Sequence, residues 1–476
     1  MSERFMRQNI FVNWVRSCWF AIVVFLACWA TAALDDPAAE HFATIKAAAV
    51  KGNVEAQAEV GVLYRDGTGT PADAKEALRW LRKSAKRNNA RAQFELAQTY
   101  GLGQGVPKDL AEALPWLQKS AEQNYAPAQR ILAECYDDGI GLPKDEKAAF
   151  QLWHKAAEAG DRSAQHNLAI AFRDGHGTTT NSTAALKWAT KAAEQGDVLM
   201  QWEVYRMCVK QSDLPGKKAE GFKWCRKAAE NGYAAAQADL GTAYYKGEAV
   251  SKDVDEAEKW SLRAAEQGDV TAQGNLAILY MSTGNYPVAA KWAHQAALQG
   301  DIKSEFNLAM LYYDGRGVTL DKAQFLHWML KAAMHGDAEA EAKAGEAYYT
   351  GVGASTNFID AAKWFRRAAE HGSPLAQCNL GWMYFQGQGV KKDLVEAYRW
   401  LTLSVRQDCK QGAVNRALAA KEMTPKQLIE GWRLADQTVI TNNPAAQIDK
   451  TPATVGFPPF QYQTNRNVWW RSNYSH

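Results

Sequence analysis

The stretch AQCNLGWMYFQGQGVKKDLVEAYRW, residues 376–400, contains one complete structural unit. Ala376, Leu380, Gly381 and Tyr384 fall at helical spacing and share one face of a first helix, helix A. Gly387-Gln388-Gly389 then turns the chain. Asp393 supplies a side-chain acceptor for the free N–H groups of a new first turn, so a second helix, helix B, begins there. Ala397 and Trp400 lie on one face of helix B. A pair this small cannot bury its apolar face alone. It must pack on further copies of itself.

The copies are present. Trp80, Trp116, Trp188, Trp224 and Trp260 stand on a 36-residue grid, with Leu152 in the one gap. After Trp260 the grid slips by four residues and resumes at Trp292, Trp328, Trp364 and Trp400. Seven residues before each grid position comes a capping residue, from Asp73, Asp109 and Asp145 to Asn357 and Asp393, and only Lys217 breaks the series. Glycine eight positions past the grid, as at Gly160, Gly196 and Gly372, closes helix B in the left-handed conformation. Ala-Gln opens helix A, as in Ala92-Gln93 and Ala164-Gln165. Ten helix A segments are expected, starting near residues 54, 90, 126, 162, 198, 234, 270, 302, 338 and 374. The G-x-G turn repeats and lacks a preceding strand, so it reads as a hairpin closure rather than a phosphate cradle.

The running pattern AQ…LG…Y…DGxGV…D…A…W…KAAEQGD resembles the Sel-1-like repeat family, a relative of tetratricopeptide repeats, over about residues 40–437. The resemblance implies an all-α fold: a right-handed α-solenoid of about ten antiparallel helix pairs with a concave face. It also implies a binding role, since exported members are implicated in envelope assembly, host interaction or protein quality control. Two units depart from the pattern. The unit from 198 to 233 carries Met200, Tyr205 and Cys208 and the turn KQSDLPGKKAE, and the next unit but one has the short turn MSTGNYP. The expected organisation is a capping helix within 34–53, the solenoid over 54–412, capping helices over 413–437, and an aperiodic tail over 438–476 with Phe457, Phe460, Trp469 and Trp470.

Residues 1–33 read differently. Arg4, Arg7 and Arg16 precede an uncharged run from Ser17 to Leu34, and Ala30-Thr31-Ala32 fits a signal-peptidase site. The competing reading is an uncleaved anchor that attaches residues 17–34 to a membrane. Either way the repeats are expected outside the cytosol, in the periplasm or secreted. A eukaryotic source would instead make the chain an endoplasmic-reticulum quality-control adaptor, and Asn181-Ser182-Thr183 and Asn473-Tyr474-Ser475 match glycosylation sequons.

A net charge of +3 with 22% charged residues offers no basic block for nucleic acid. No catalytic constellation is evident. Some cysteine-rich relatives have been labelled penicillin-binding or β-lactamase-like, yet no S-x-x-K occurs, and no H-E-x-x-H or Walker loop. No cofactor is implied. The histidines show no metal-ligand spacing; His335 and His371 hold the same repeat position in successive units and read as surface neighbours.

The expected partner is a protein or peptide. The helix A positions 15, 18 and 22 past each preceding grid residue share a face that varies between repeats, where packing does not dictate the residue. Asparagine recurs on this stripe at Asn167, Asn275, Asn307 and Asn379, and an amide both donates to and accepts from a peptide backbone. Arg206 lies on the same stripe, and Trp382, expected to be exposed, is the expected anchor. Five cysteines remain beyond the leader. Cys378 with Cys409, and Cys208 with Cys225, are candidate disulfides, against the alternative of buried thiols; Cys135 is left over. Cysteine-rich members of the family cross-link helices at the position of Cys378, while Cys409 lies about one turn beyond the usual partner.

Overall fold

The computed structural model describes residues 37–210 and 216–442, in which twenty-three helices and no strand occur. Helix α1 (Pro37–Val50) precedes ten helix pairs. In the first five pairs these are α2 (Val54–Asp66) with α3 (Ala74–Ala85), α4 (Ala90–Leu102) with α5 (Leu110–Glu122), α6 (Ala126–Asp138) with α7 (Glu146–Glu158), α8 (Arg162–Asp174) with α9 (Ser182–Glu194), and α10 (Val198–Lys210) with α11 (Lys217–Glu230). The second five are α12 (Ala234–Lys246) with α13 (Val254–Glu266), α14 (Val270–Ser282) with α15 (Tyr286–Leu298), α16 (Ile302–Asp314) with α17 (Lys322–Met334), α18 (Ala338–Thr350) with α19 (Phe358–Glu370), and α20 (Pro374–Gln386) with α21 (Leu394–Arg406). Helices α22 (Lys410–Lys421) and α23 (Pro425–Asn442) follow. Every helix A begins at the residue the sequence marks. Helix α23 runs on to Asn442, five residues into the segment read as tail, and α22 begins at Lys410. The leader, its flank up to Asp36 and the tail from 443 lie outside the described residues, as do 211–215 of the atypical turn. No described helix is long and apolar enough to cross a membrane.

The chain divides into two compact units, Met1–Trp224 and Cys225–His476. In the first, α1 to α10 form a succession of small cores, the largest built from α6 to α10 around Leu168, Trp188 and Met200. In the second, one core runs from α12 to α19 and another from α18 to α23. In both units successive helices pack on their neighbours along the chain, the one-dimensional order of an all-α solenoid, and at its end α22 and α23 both pack on α21.

The local chemistry explains the pairs. Asp393 Oδ1 accepts from the N–H groups of Val395 (2.9 Å) and Glu396 (3.1 Å), and Asp73, Asp145, Asp253, Asp321 and Asn357 cap their helices the same way. Gly389 has φ +69°, and a Cβ there would lie 2.0 Å from the Phe358 carbonyl oxygen, so the second glycine of the turn seats one repeat on the first turn of the helix B before it. Asn88, Asn124 and Asp408 take the left-handed conformation where glycine closes the other helices B, with φ of 61°, 59° and 60°. The shortened turn joins Ser282 to Tyr286 through Thr283, Gly284 and Asn285 alone.

Trp80, Trp188, Trp260, Trp292, Trp328 and Trp400 are buried, whereas Trp116, Trp224 and Trp364 are only half-buried. The burial comes with partners on the ring. The Trp80, Trp260 and Trp400 N–H groups donate to the Glu four residues earlier, and a Lys or Arg of the same helix stands over nearly every grid indole. In α7 the sequence reading needs correction: Leu152 holds the grid number, but Trp153 is the buried residue and Leu152 is half-buried.

A second repeat-to-repeat link was not read from the sequence. The glutamine of each Ala-Gln pair is buried, and its amide donates to a carbonyl at the end of the preceding helix B, as Gln377 does to Ala369 (3.1 Å). In five repeats its oxygen accepts from a glutamine at the end of its own repeat's helix B, Gln123 to Gln93, Gln195 to Gln165, Gln267 to Gln237, Gln299 to Gln273 and Gln407 to Gln377, at 2.6–3.0 Å, whereas the Gln57 oxygen in the first repeat is buried without a donor. A buried amide satisfied on both sides fixes register without introducing charge. In two successive repeats both members change together. Glu305 replaces the glutamine and meets His335 at 3.0 Å; Glu341 does the same and meets His371 at 2.7 Å and Arg367 at 3.0 Å. His335 and His371 are therefore half-exposed partners of buried carboxylates.

Candidate functional site

Helix A turns its small residues and leucine inward, which leaves the stripe positions half-buried between successive repeats. In the second unit the stripes of α18 and α20 meet α22, which continues the pattern with Asn415 and Leu418. Together they enclose an open cavity of about 560 Å³ lined by Tyr349, Leu375, Asn379, Trp382, Val414 and Leu418, among others. Trp382 is half-buried rather than exposed, because its ring leans on Phe385 at 5.4 Å between centroids. Leu375 and Val414 are more than half exposed on the rim. The cavity thus joins an amide and an indole to an apolar rim, the composition of a site that grips a polypeptide.

The stripe asparagines share a property that the core amides lack. Asn167, Asn307 and Asn379 are half-buried, and no side-chain hydrogen bond engages them among the described residues. The Asn275 amide nitrogen is buried without an acceptor. Arg206 differs: it is committed within the chain, pairing with Glu203 at 2.9 Å and stacking on Trp202 at 4.7 Å. Asn415 is likewise engaged, accepting from Gln411 and donating to Cys378 Sγ. Asn379 and Trp382 share one cavity, while Asn167 lines another in the first unit. Tyr349, Val414 and Leu418 were missed in the sequence. The signal was available, since Asn415 and Leu418 stand at the stripe spacing past Trp400.

All five cysteines of the described residues are thiols in this structure. Cys409 packs against the core that contains Cys378, which places the two thiols near one another. Burial, reinforced by Cys409, pushes the Cys378 thiol up to about 12. Burial also raises Cys208 and Cys225, and the Cys225 thiol donates to the Ala236 carbonyl at 3.4 Å. In the reduced native protein, N-ethylmaleimide is expected to modify the half-buried Cys135 and Cys409 and to spare Cys208, Cys225 and Cys378. Peptide mapping checks this; labelling of Cys378 as fast as Cys409 would contradict the burial argument. No group of three or more His, Cys, Asp or Glu suited to a metal ion occurs among the described residues.

Stacked A/B helix pairs with a recurring core and a variable stripe define a helical-repeat protein. The Sel1 repeat model matches ten segments, at 54–89, 90–125, 126–161, 162–197, 206–233, 234–269, 271–301, 302–337, 338–373 and 374–409. The chain belongs to the Sel1 repeat family. The matches are truncated in the two units that depart from the pattern, at 206–233 and 271–301. Among solved structures, it is similar to a protective antigen of uropathogenic Escherichia coli strains that displays an SLR fold, with 29% identity, a TM-score of 0.59, and coverage of 88% of this chain and 99% of that one. It is also similar to a Sel1 repeat protein from Oxalobacter formigenes, with 32% identity, a TM-score of 0.39, and coverage of 45% of this chain and 88% of that one. No curated protein matches the chain.

Proposed function

We propose that this chain is a non-enzymatic scaffold of the cell envelope or the secreted fraction that binds a protein partner, in an extended segment, along the helix A stripe. Sel1 repeat proteins typically bind protein partners. The observation that carries the reading is the unengaged Asn379 amide beside Trp382 in the 560 Å³ cavity. An amide that the fold leaves unused can hold a peptide bond by donating and accepting at once, and a half-buried indole against an apolar rim supplies the anchor. Export of the repeats rests on the basic, then apolar, N-terminal segment. In an oxidising compartment the neighbouring Cys378 and Cys409 thiols would join and tie α20 to the start of α22.

The test is capture of partners from the source organism's extracytoplasmic fraction by the chain and by its Asn307→Ala, Asn379→Ala, Trp382→Ala variant. A polypeptide retained by the wild type is expected to bind the folded variant more weakly by on the order of 100-fold, about 3 kcal/mol. Equal binding by the variant would remove the stripe from the function.

A further inference from the structure

We propose that the cavity formed by α6, α7 and α8 in the first unit is a recognition pocket for one basic side chain, lysine or arginine, of an extended polypeptide. This deepens the stripe reading and rests on it only in taking a polypeptide as the ligand. The cavity holds about 350 Å³ and is lined by Glu134, Asp137, Asp138, Trp153, Asn167 and His176, with Ile170 and Ala171. Glu134 and Asp138 are the α6 stripe positions, and Asn167 and Ile170 those of α8.

In α7 the tryptophan is displaced by one residue from the grid, to Trp153. At its grid position a tryptophan finds a glutamate four residues earlier in three repeats: Trp80 donates to Glu76, Trp260 to Glu256 and Trp400 to Glu396. Four residues before Trp153 stands Ala149, which offers no side-chain acceptor. Trp153 is 6% exposed, and its Nε1–H is a buried donor without a partner. A Lys or Arg three residues later covers Trp80, Trp116, Trp188, Trp260, Trp328 and Trp364, but that position after Trp153 is Ala156. The displaced indole therefore lacks both groups that the repeat ordinarily provides.

Beside it, acidic charge is left over. Glu134 is paired with Arg130 at 2.9 Å, and Lys144 is committed to Glu146 at 3.1 Å. Asp137 and Asp138 make no ion pair among the described residues. The cavity thus needs two things at once: an acceptor for the indole N–H and a cation for the aspartates. A metal ion meets only the second need and an anion only the first. A peptide carrying a basic residue meets both, with a backbone carbonyl for the indole and an ammonium or guanidinium for Asp137 and Asp138. The unengaged Asn167 amide stands where it can take the adjoining peptide group.

The test follows the indole N–H resonances of the full chain, with the Trp153 signal assigned from Trp153→Phe. The probes are acetyl-Gly-Gly-Lys-Gly-Gly-amide, the same peptide with norleucine for lysine, and calcium chloride. The lysine peptide is expected to shift the Trp153 signal saturably with a midpoint on the order of 1 mM. The norleucine peptide, or the Asp137→Asn, Asp138→Asn variant, should bind at least about tenfold more weakly. The other indole signals report that the variant is folded. No shift with the lysine peptide, or equal shifts with norleucine, overturns the pocket, and an equal shift with calcium chloride reduces it to a simple ion site. Because the probe is read locally, its failure leaves the Trp382 groove standing, and loss of the groove leaves this pocket standing.

Discussion

Trp400→Ala is expected to cost the second unit about 3–5 kcal/mol, among the largest effects any single side chain here can have. Trp400 is 2% exposed, donates its N–H to Glu396 at 3.0 Å, and lies under Arg399 at 4.8 Å. It packs in the core shared by α18 to α23, where truncation leaves an indole-sized void between helices that cannot close. The same change at Trp364 removes a half-buried ring and should cost about half as much. A solenoid's stability is a sum of repeat and nearest-neighbour terms, so the damage should stay local. Hydrogen exchange in α20 to α23 is expected to accelerate well before exchange in α12 to α14, with an early urea transition assigned to the C-terminal repeats. Equal losses at Trp400 and Trp364, or uniform acceleration along the unit, would show that grid position rather than packing sets the contribution.

That contrast marks the limit of what a period can say. The recurrence of Trp, Asp and Gly fixes helix count, starts and turns, because each of those residues answers to its own neighbours in sequence. It does not fix how deeply each ring sinks, which depends on residues of the adjacent repeats. Leu152 satisfied the grid, yet Trp153 entered the core, since a turn of helix carries two adjacent positions close enough for the larger side chain to take the space. The spacing gives Trp382 its helix A position but not its lean on Phe385, which half-buries the ring. The amide ladder was present in the letters as the glutamine of Ala-Gln and the glutamine closing helix B. It went unread because a recurring polar residue at a helix end looks solvated until its partner in the same repeat is brought against it. The joint change to Glu305 with His335 and to Glu341 with His371 was the strongest available sign that those two positions touch.

The ladder carries the second large effect. Glu341 is fully buried and faces Arg367 of α19 and His371, the C-cap residue of that helix. Arg367→Ala with His371→Ala strips the carboxylate of both cations while leaving it buried, which is expected to cost about 3–5 kcal/mol. Adding Glu341→Gln should recover most of that loss. A glutamine at this position elsewhere donates to the carbonyl eight residues earlier, as Gln377 does to Ala369, and the matching carbonyl here, that of Ala333, already accepts from Arg367 at 3.4 Å. Urea unfolding of the double and triple variants decides the matter: a triple variant no more stable than the double would mean that lost packing of the Arg367 stem, rather than the stranded charge, carries the cost. The neighbouring pair predicts a dependence on pH. Burial pushes the Glu305 carboxyl above its ordinary value, with His335 opposing the shift. A folded state that holds this proton more firmly than the unfolded chain is favoured at low pH, so the contribution is complete below the ordinary glutamate range and is lost as pH rises through the raised value. Glu305→Gln should remove that slope while leaving the protein's other acid transitions in place. A slope unchanged by the substitution would place the proton on another carboxyl that desolvation raises, the half-buried Asp269 or Glu339 at the start of α18.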